Sequence, residues 1–73
     1  MHEAMKLSRR EHEALAHLVR GLSNREIAAS LGVSTNTVNK HVQQIFAKLS
    51  VRNRVEAVTR AIELKTVSLA GPG

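Results

Sequence analysis

Cysteine, tryptophan and tyrosine are absent from these 73 residues, and the single aromatic is Phe46. Without thiols there is no disulfide, no thiolate zinc site and no thiol nucleophile, a composition that fits a reducing cytoplasm. Without several aromatics there are no platforms for stacking unpaired bases, which weighs against recognition of single strands or RNA. No apolar run approaches the roughly 20 residues that span a bilayer, and no apolar signal core follows the N-terminus, so the chain reads as soluble and untargeted. A Gly-rich phosphate loop, a nucleophile-base pair at helical spacing and a cluster of metal ligands are also missing, so the sequence points to binding without catalysis and without a cofactor. His12, Glu13 and His17 look at first like a metalloprotease motif. The histidines are five apart, about 140° around a helix, and cannot share one zinc ion.

The most informative absence is local. No Asp or Glu occurs from Ile27 to Val55, although the whole chain carries six acids against eleven Lys and Arg for a net +5. Within that span, Ser34 to Leu49 reads as a helix with a serine N-cap and an unbroken helical pattern behind it. Val38, Val42, Ile45, Phe46 and Leu49 fall in one stripe that must face a core, with Thr35 at its rim. Asn36, Asn39, Lys40, Gln43 and Ala47 fall on the far side. An ordinary solvated helix face mixes Glu with Lys for solubility and i,i+4 pairing, whereas this one offers amides and an ammonium alone. Such a face suits a polyanion, and the helix reads as a DNA recognition helix.

The rest of the chain supplies a small frame for it. A domain of this length buries only about 60% of its unfolded surface and has little stability to spare. Residues 1–6 carry no periodic pattern and read as a loose lead-in or as the cut end of a longer protein. The first helix starts with Ser8 as N-cap and Glu11 in the capping-box position, buries Ala14, Leu15, Leu18 and Val19, and stops at Gly21. The second repeats the start signal with Ser23 and Glu26, with Leu22 placed to staple onto Ile27; it faces Ile27, Ala28 and Leu31 inward and ends at Gly32. Val33 and Ser34 then open the third helix. Two helices joined through Leu31-Gly32-Val33-Ser34 make either a helix-turn-helix or a plain corner in a small bundle, and the acid-free amide face favours the former.

A fourth helix begins at Asn53, with Glu56 at the box position. Val55, Val58 and Ile62 form one stripe expected to close the core, while Ala57, Ala61 and Leu64 form a second, expected to meet a partner helix in a dimer. Beyond Lys65 the pattern fades, and residues 66–73 read as a frayed tail.

Five blocks of the chain together resemble the LuxR-type helix-turn-helix domain. They are Leu7-Ser8-x-Arg10-Glu11, Gly21-x-Ser23-Asn24-x-Glu26-Ile27-Ala28, Leu31-x-Val33-Ser34-x-x-Thr37-Val38-x-x-His41, Lys48-Leu49-x-Val51 and Arg54-x-x-Ala57-Val58. The resemblance runs from Leu7 to about Leu64, in a domain expected over residues 7–65. The family is shared by quorum-sensing regulators, response regulators of the NarL and FixJ type and stand-alone sporulation regulators. It implies an all-α, compact four-helix domain, a third helix in the major groove of double-stranded DNA, and a homodimer through the fourth helix on inverted half-sites. A dimer of this kind sets its two third helices about 34 Å apart along the duplex.

Carried over by position, the resemblance implies that the residues after Val38 read bases: here Asn39 and Lys40, with Gln43 one turn on and Asn36 at the head of the same face. The family often has Lys or Arg where this chain has Asn39. Asn and Gln pair best with N6 and N7 of adenine, and Lys40 can donate to guanine or phosphate, so the half-site is expected to contain adenine. Thr37 and His41 match the family's usual backbone contacts, with Thr35 beside them. Ser23, Asn24 and Arg25 present a helix N-terminus that favours an anion. Lys48 is a further phosphate candidate on the helix flank, with a structural role as its alternative; His41, at the edge of the apolar stripe, has the same two readings. Glu11, Glu26 and Arg54 read as framework, Arg54 as an ion-pair partner, so that Arg54→Ala is expected to lower stability without changing base preference. RNA polymerase is a candidate partner; a membrane and a small-molecule ligand are not expected. The competing reading is a protein-interaction module whose basic face docks an acidic partner. Lys40→Ala would then abolish partner binding while DNA affinity stayed weak and indifferent to sequence.

Overall fold

In the computed structural model, which describes residues 6–64, the chain folds into four helices: α1 (Arg9–Val19), α2 (Asn24–Leu31), α3 (Thr35–Leu49) and α4 (Arg54–Glu63). Each starts on a side chain that replaces a missing backbone partner. Ser8 Oγ accepts from the Glu11 amide at 3.1 Å while Glu11 Oε1 accepts from the Ser8 amide at 2.9 Å. Ser23 and Glu26 repeat this reciprocal box at 3.1 and 2.8 Å. Ser34 Oγ caps the Thr37 amide at 3.1 Å, and Asn53 Oδ1 caps the Glu56 amide at 2.9 Å. Glu56 does not close a box on Asn53; its carboxylate accepts from the Arg52 amide instead, at 2.9 Å.

Helices α1, α2 and α3 end alike. The chain turns left-handed at Gly21 (φ 89°), Gly32 (φ 70°) and Ser50 (φ 58°). The next amide then reaches back over the last turn, Leu22 to the His17 carbonyl, Val33 to that of Ala28 and Val51 to that of Phe46. This is the Schellman arrangement, which satisfies carbonyls that a helix end would otherwise orphan. A Cβ at Gly21 or Gly32 would meet nothing within 4 Å, so these positions call for glycine because of backbone conformation and not for want of space. Ser50 takes the same conformation without that freedom.

The core lies where α3 crosses α1 and α2, with α4 closing it against α1 and α3. Leu15, Leu18, Ile27, Val38, Ile45 and Leu49 are fully buried in it, joined by Ala14, Ala28 and Val42, while Phe46 packs against its edge. The third-helix stripe therefore faces inward as its spacing requires.

The fourth helix is turned the other way from the expectation. Ala57 and Ala61 are 0% exposed in the core, and Leu64 packs against it, whereas Val55 is 75% and Ile62 40% exposed. The dimer face assigned to Ala57, Ala61 and Leu64 is thus internal to this chain. The reason is volume: α1 and α3 already fill the interior with Leu15, Leu18, Ile45 and Leu49, and small alanines let the last helix approach closely. Of the stripe expected to close the core, only Val58 packs against it.

Of the expected lead-in only Lys6 falls among the described residues, where its carbonyl accepts from Lys48 Nζ at 3.2 Å. Residues 1–5, and the expected tail at 66–73, lie outside them. Among the described residues no helix is long and apolar enough to cross a membrane, and no group of three or more His or acidic side chains could hold a metal ion.

Candidate nucleic-acid interface

Helix α3 is anchored by its inner stripe and displays its outer one. Asn36, Asn39, Lys40, Gln43 and Ala47 are all exposed, together with Thr35 at the start of the helix. The four polar side chains of that outer face bring donors, acceptors and one positive charge to a single surface, with no carboxylate between Glu26 and Glu56 in the sequence. A rigid helix that presents such groups outward has the width and chemistry that a major groove admits.

Around this surface, the candidate backbone contacts divide. Thr37 is half-buried and its hydroxyl shares a 2.9 Å hydrogen bond with that of Ser34, which steadies the first turn of α3. Arg25 is exposed in the first turn of α2. Ser23, also exposed, uses its hydroxyl oxygen as the α2 cap.

Lys48 is not a free phosphate ligand. Its Nζ donates to Glu11 Oε1 at 2.7 Å, tying the last turn of α3 to the first turn of α1. Glu11 is only 3% exposed. Burial pushes its carboxyl up, but the hydrogen bond from Lys48, the Ser8 amide and the charges of Lys48 and His41 act the other way, and the group ends below its ordinary 4.5. A carboxylate buried this far needs its cation, which is why Lys48 is held here. His41 is half-buried beside the same group, with Nδ1 enclosed and without a hydrogen-bond partner. Its position is that of a core-edge residue, but without the internal hydrogen bond expected of one.

Asn24 is committed as well. Both Nη atoms of Arg54, on α4, donate to Asn24 Oδ1, at 3.0 and 2.9 Å, and Nη2 also donates to the Leu22 carbonyl at 2.9 Å. Asn24 Nδ2 in turn donates to Asn39 Oδ1 at 2.8 Å. The carboxamide expected to meet phosphate therefore lies between a buried-side guanidinium and a base-reading candidate. Arg54 pairs with an amide and a carbonyl and not with an acid. Residues 15 and 30 apart in sequence meet here, so no local pattern could have signalled it.

Comparison with known proteins gives the same outline. The sequence profile described as bacterial regulatory proteins, luxR family, matches residues 5–61. The probable csgAB operon transcriptional regulatory protein of Salmonella typhimurium is 48% identical over 59 residues, which are 81% of this chain and 27% of that protein. Transcriptional regulatory protein DesR of Bacillus subtilis is 41% identical over 61 residues, 84% of this chain and 31% of its own length. The chain thus spans less than a third of these relatives. Among solved structures, the transcription factor GerE superimposes with a TM-score of 0.79 at 35% identity, over 86% of this chain and 94% of GerE. The response regulator ChrA of a heme-sensing two-component system gives 0.80 at 46% identity, over 84% of this chain and 30% of ChrA.

Proposed function

Since the chain belongs to the luxR family of bacterial regulatory proteins, whose members are DNA-binding transcriptional regulators, we propose that it reads a specific duplex sequence by laying α3 in the major groove, as a dimer on inverted half-sites. The observation that carries this reading is the outer face of α3, where Asn36, Asn39, Lys40 and Gln43 stand exposed on a helix whose other side is locked in the core. Gln43 pairs with N6 and N7 of adenine, and Lys40 donates to guanine or to phosphate. Thr35, Thr37, Ser23 and Arg25 line the approach to the backbone and set the register of the helix on the duplex.

The second copy docks on the outward side of α4. Val55 and Ile62 are two large apolar side chains exposed on one stripe of that helix, with Thr59 between them. Two such helices related by a two-fold axis would cover them and place the two α3 helices on one side of the assembly. The similarity to ChrA and to DesR fits an output domain governed by another part of a longer protein, and the similarity to GerE fits a regulator that acts alone; the DNA-reading role is the same in both. A contact with RNA polymerase belongs to this reading too, through a surface left uncovered once α3 is in the groove. The site of action is the cytoplasm.

Selection from a random duplex library at near-physiological salt, repeated with Gln43→Ala, tests the reading. The expected result is an inverted repeat with adenine-dependent positions that relax in the variant. Recovery of no motif, with binding that vanishes as salt rises, would leave only counterion release and would refute sequence-specific reading.

A further inference from the structure

We propose that Arg54 determines which hydrogen-bonding group Asn39 shows to the DNA, acting through Asn24. The proposal rests on the reading of α3 as the base-contacting helix and adds to it a positioning residue on a different element.

The argument is one of polarity. A guanidinium has donors and no acceptor, so the group of Asn24 that faces Arg54 at 3.0 and 2.9 Å must be its oxygen. The NH2 of the same carboxamide is thereby turned to the other side, toward Asn39. An NH2 only donates, so the atom of Asn39 that meets it at 2.8 Å must be Oδ1. The NH2 of Asn39 is then the group left for DNA. An exposed asparagine without such a chain would present oxygen or nitrogen by turning over. Here a fixed charge on α4 sets the sense of two successive amides and ends on α3. Arg54 is itself held by the Leu22 carbonyl at 2.9 Å, so the start of the chain does not rotate.

A donor displayed at Asn39 selects for base edges that accept. In the major groove these are guanine, with N7 and O6, thymine, with O4, and adenine, with N7 beside its N6 donor; cytosine offers only its N4 donor. Two-point pairing of Asn39 with adenine needs a carboxamide oxygen aimed at N6, and that oxygen is engaged with Asn24. The adenine preference expected of the amide face therefore belongs to Gln43, and the base opposite Asn39 is guanine or thymine over cytosine by roughly tenfold.

The test is competitive binding of the intact chain to duplexes substituted at each half-site position, with Asn39→Ala marking the position that Asn39 reads and thermal melts confirming the fold. Asn24→Asp is nearly isosteric and keeps a partner for Arg54, but its second oxygen can only accept. Asn39 must then turn its NH2 inward and its oxygen outward, and the preference at its position inverts toward cytosine and adenine. The added negative charge weakens binding to every duplex alike and leaves that ratio untouched. Asn24→Ala and Arg54→Met relax the same position to near parity, contrary to the unchanged base preference expected of Arg54 as framework alone, and Arg54→Lys, which keeps a donor, largely retains it. The Gln43 position holds in all of them. An unchanged preference at the Asn39 position in folded Asn24→Asp or Asn24→Ala overturns the proposal, and so does equal relaxation at every position, the mark of a merely structural role. If the unsubstituted protein yields no preferred sequence, the DNA-reading role itself fails.

Discussion

Glu11 serves two ends of the molecule with one carboxylate, closing the cap of α1 through the Ser8 amide and holding the far end of α3 through Lys48. Its pKa is lowered in the folded chain, so its charge stabilises the fold above the carboxyl's ordinary value of 4.5 and that contribution is lost as pH falls through the lower, folded value. Lys48→Met removes the hydrogen bond and the nearest positive charge while leaving the burial that pushes the carboxyl up. The variant should lose about 1–3 kcal/mol at neutral pH, the cost of a buried polar group left without its partner. Its acid unfolding should also begin at higher pH than that of the parent, as measured by thermal melts from about pH 3 to about pH 7. A variant with unchanged acid unfolding would mean that Lys48 is not what holds Glu11 charged. Glu11 was legible as a cap because Ser8 stands three residues before it. Lys48 was legible as a basic residue on a flank with a structural role as one of its two readings, but its partner was not, being 37 residues away.

Helices were readable where their signals are local, and less so where their faces depend on neighbours. The four N-caps, at Ser8, Ser23, Ser34 and Asn53, act within a single turn, and each helix begins where its cap stands in the sequence. The inward stripe of α3 was equally plain because its opposite face carries no apolar side chain larger than that of Ala47. On α4 both faces carry apolar residues, and a preference for burying the bulkier ones assigns the helix backwards. The choice belongs to the space left by Leu15, Leu18, Ile45 and Leu49, which a one-dimensional pattern does not contain. Ala61→Leu is the sharp check on this packing: it forces extra methylenes into a site with no exposure and should cost about 1–3 kcal/mol in urea unfolding. Were Ala61 on an outer face, the same change would be nearly neutral.

For the whole molecule, the proposed reading sets two surfaces around a core made mostly by α1 and α3: an outer face of α3 for bases and an outer face of α4 for a second copy. Val55→Glu tests the second surface without touching the first or the core, because Val55 is three-quarters exposed and outside the core. In sedimentation and in binding to a duplex with two half-sites, the variant should lose cooperativity while its affinity for a single half-site falls by less than about twofold. Like charges brought together across a two-fold axis oppose pairing, whereas one distant surface charge weakly perturbs a monomer. Undiminished cooperativity would place the dimer contact elsewhere. The general design was legible in the sequence, down to the acid-free face; the path from Arg54 to Asn39 was not, because it exists only once α2, α3 and α4 are assembled.

That path also changes when disorder is given up. A polar side chain that waves freely in solvent must be immobilised when it meets its target, at roughly 0.5–1.5 kcal/mol for a rotamer-rich group. Asn39 is already restrained by Asn24, and Asn24 by Arg54, before any duplex arrives. On the proposed reading, part of the ordering entropy of recognition is therefore surrendered during folding, and the free protein meets DNA with one of its proposed base-contacting groups already in place.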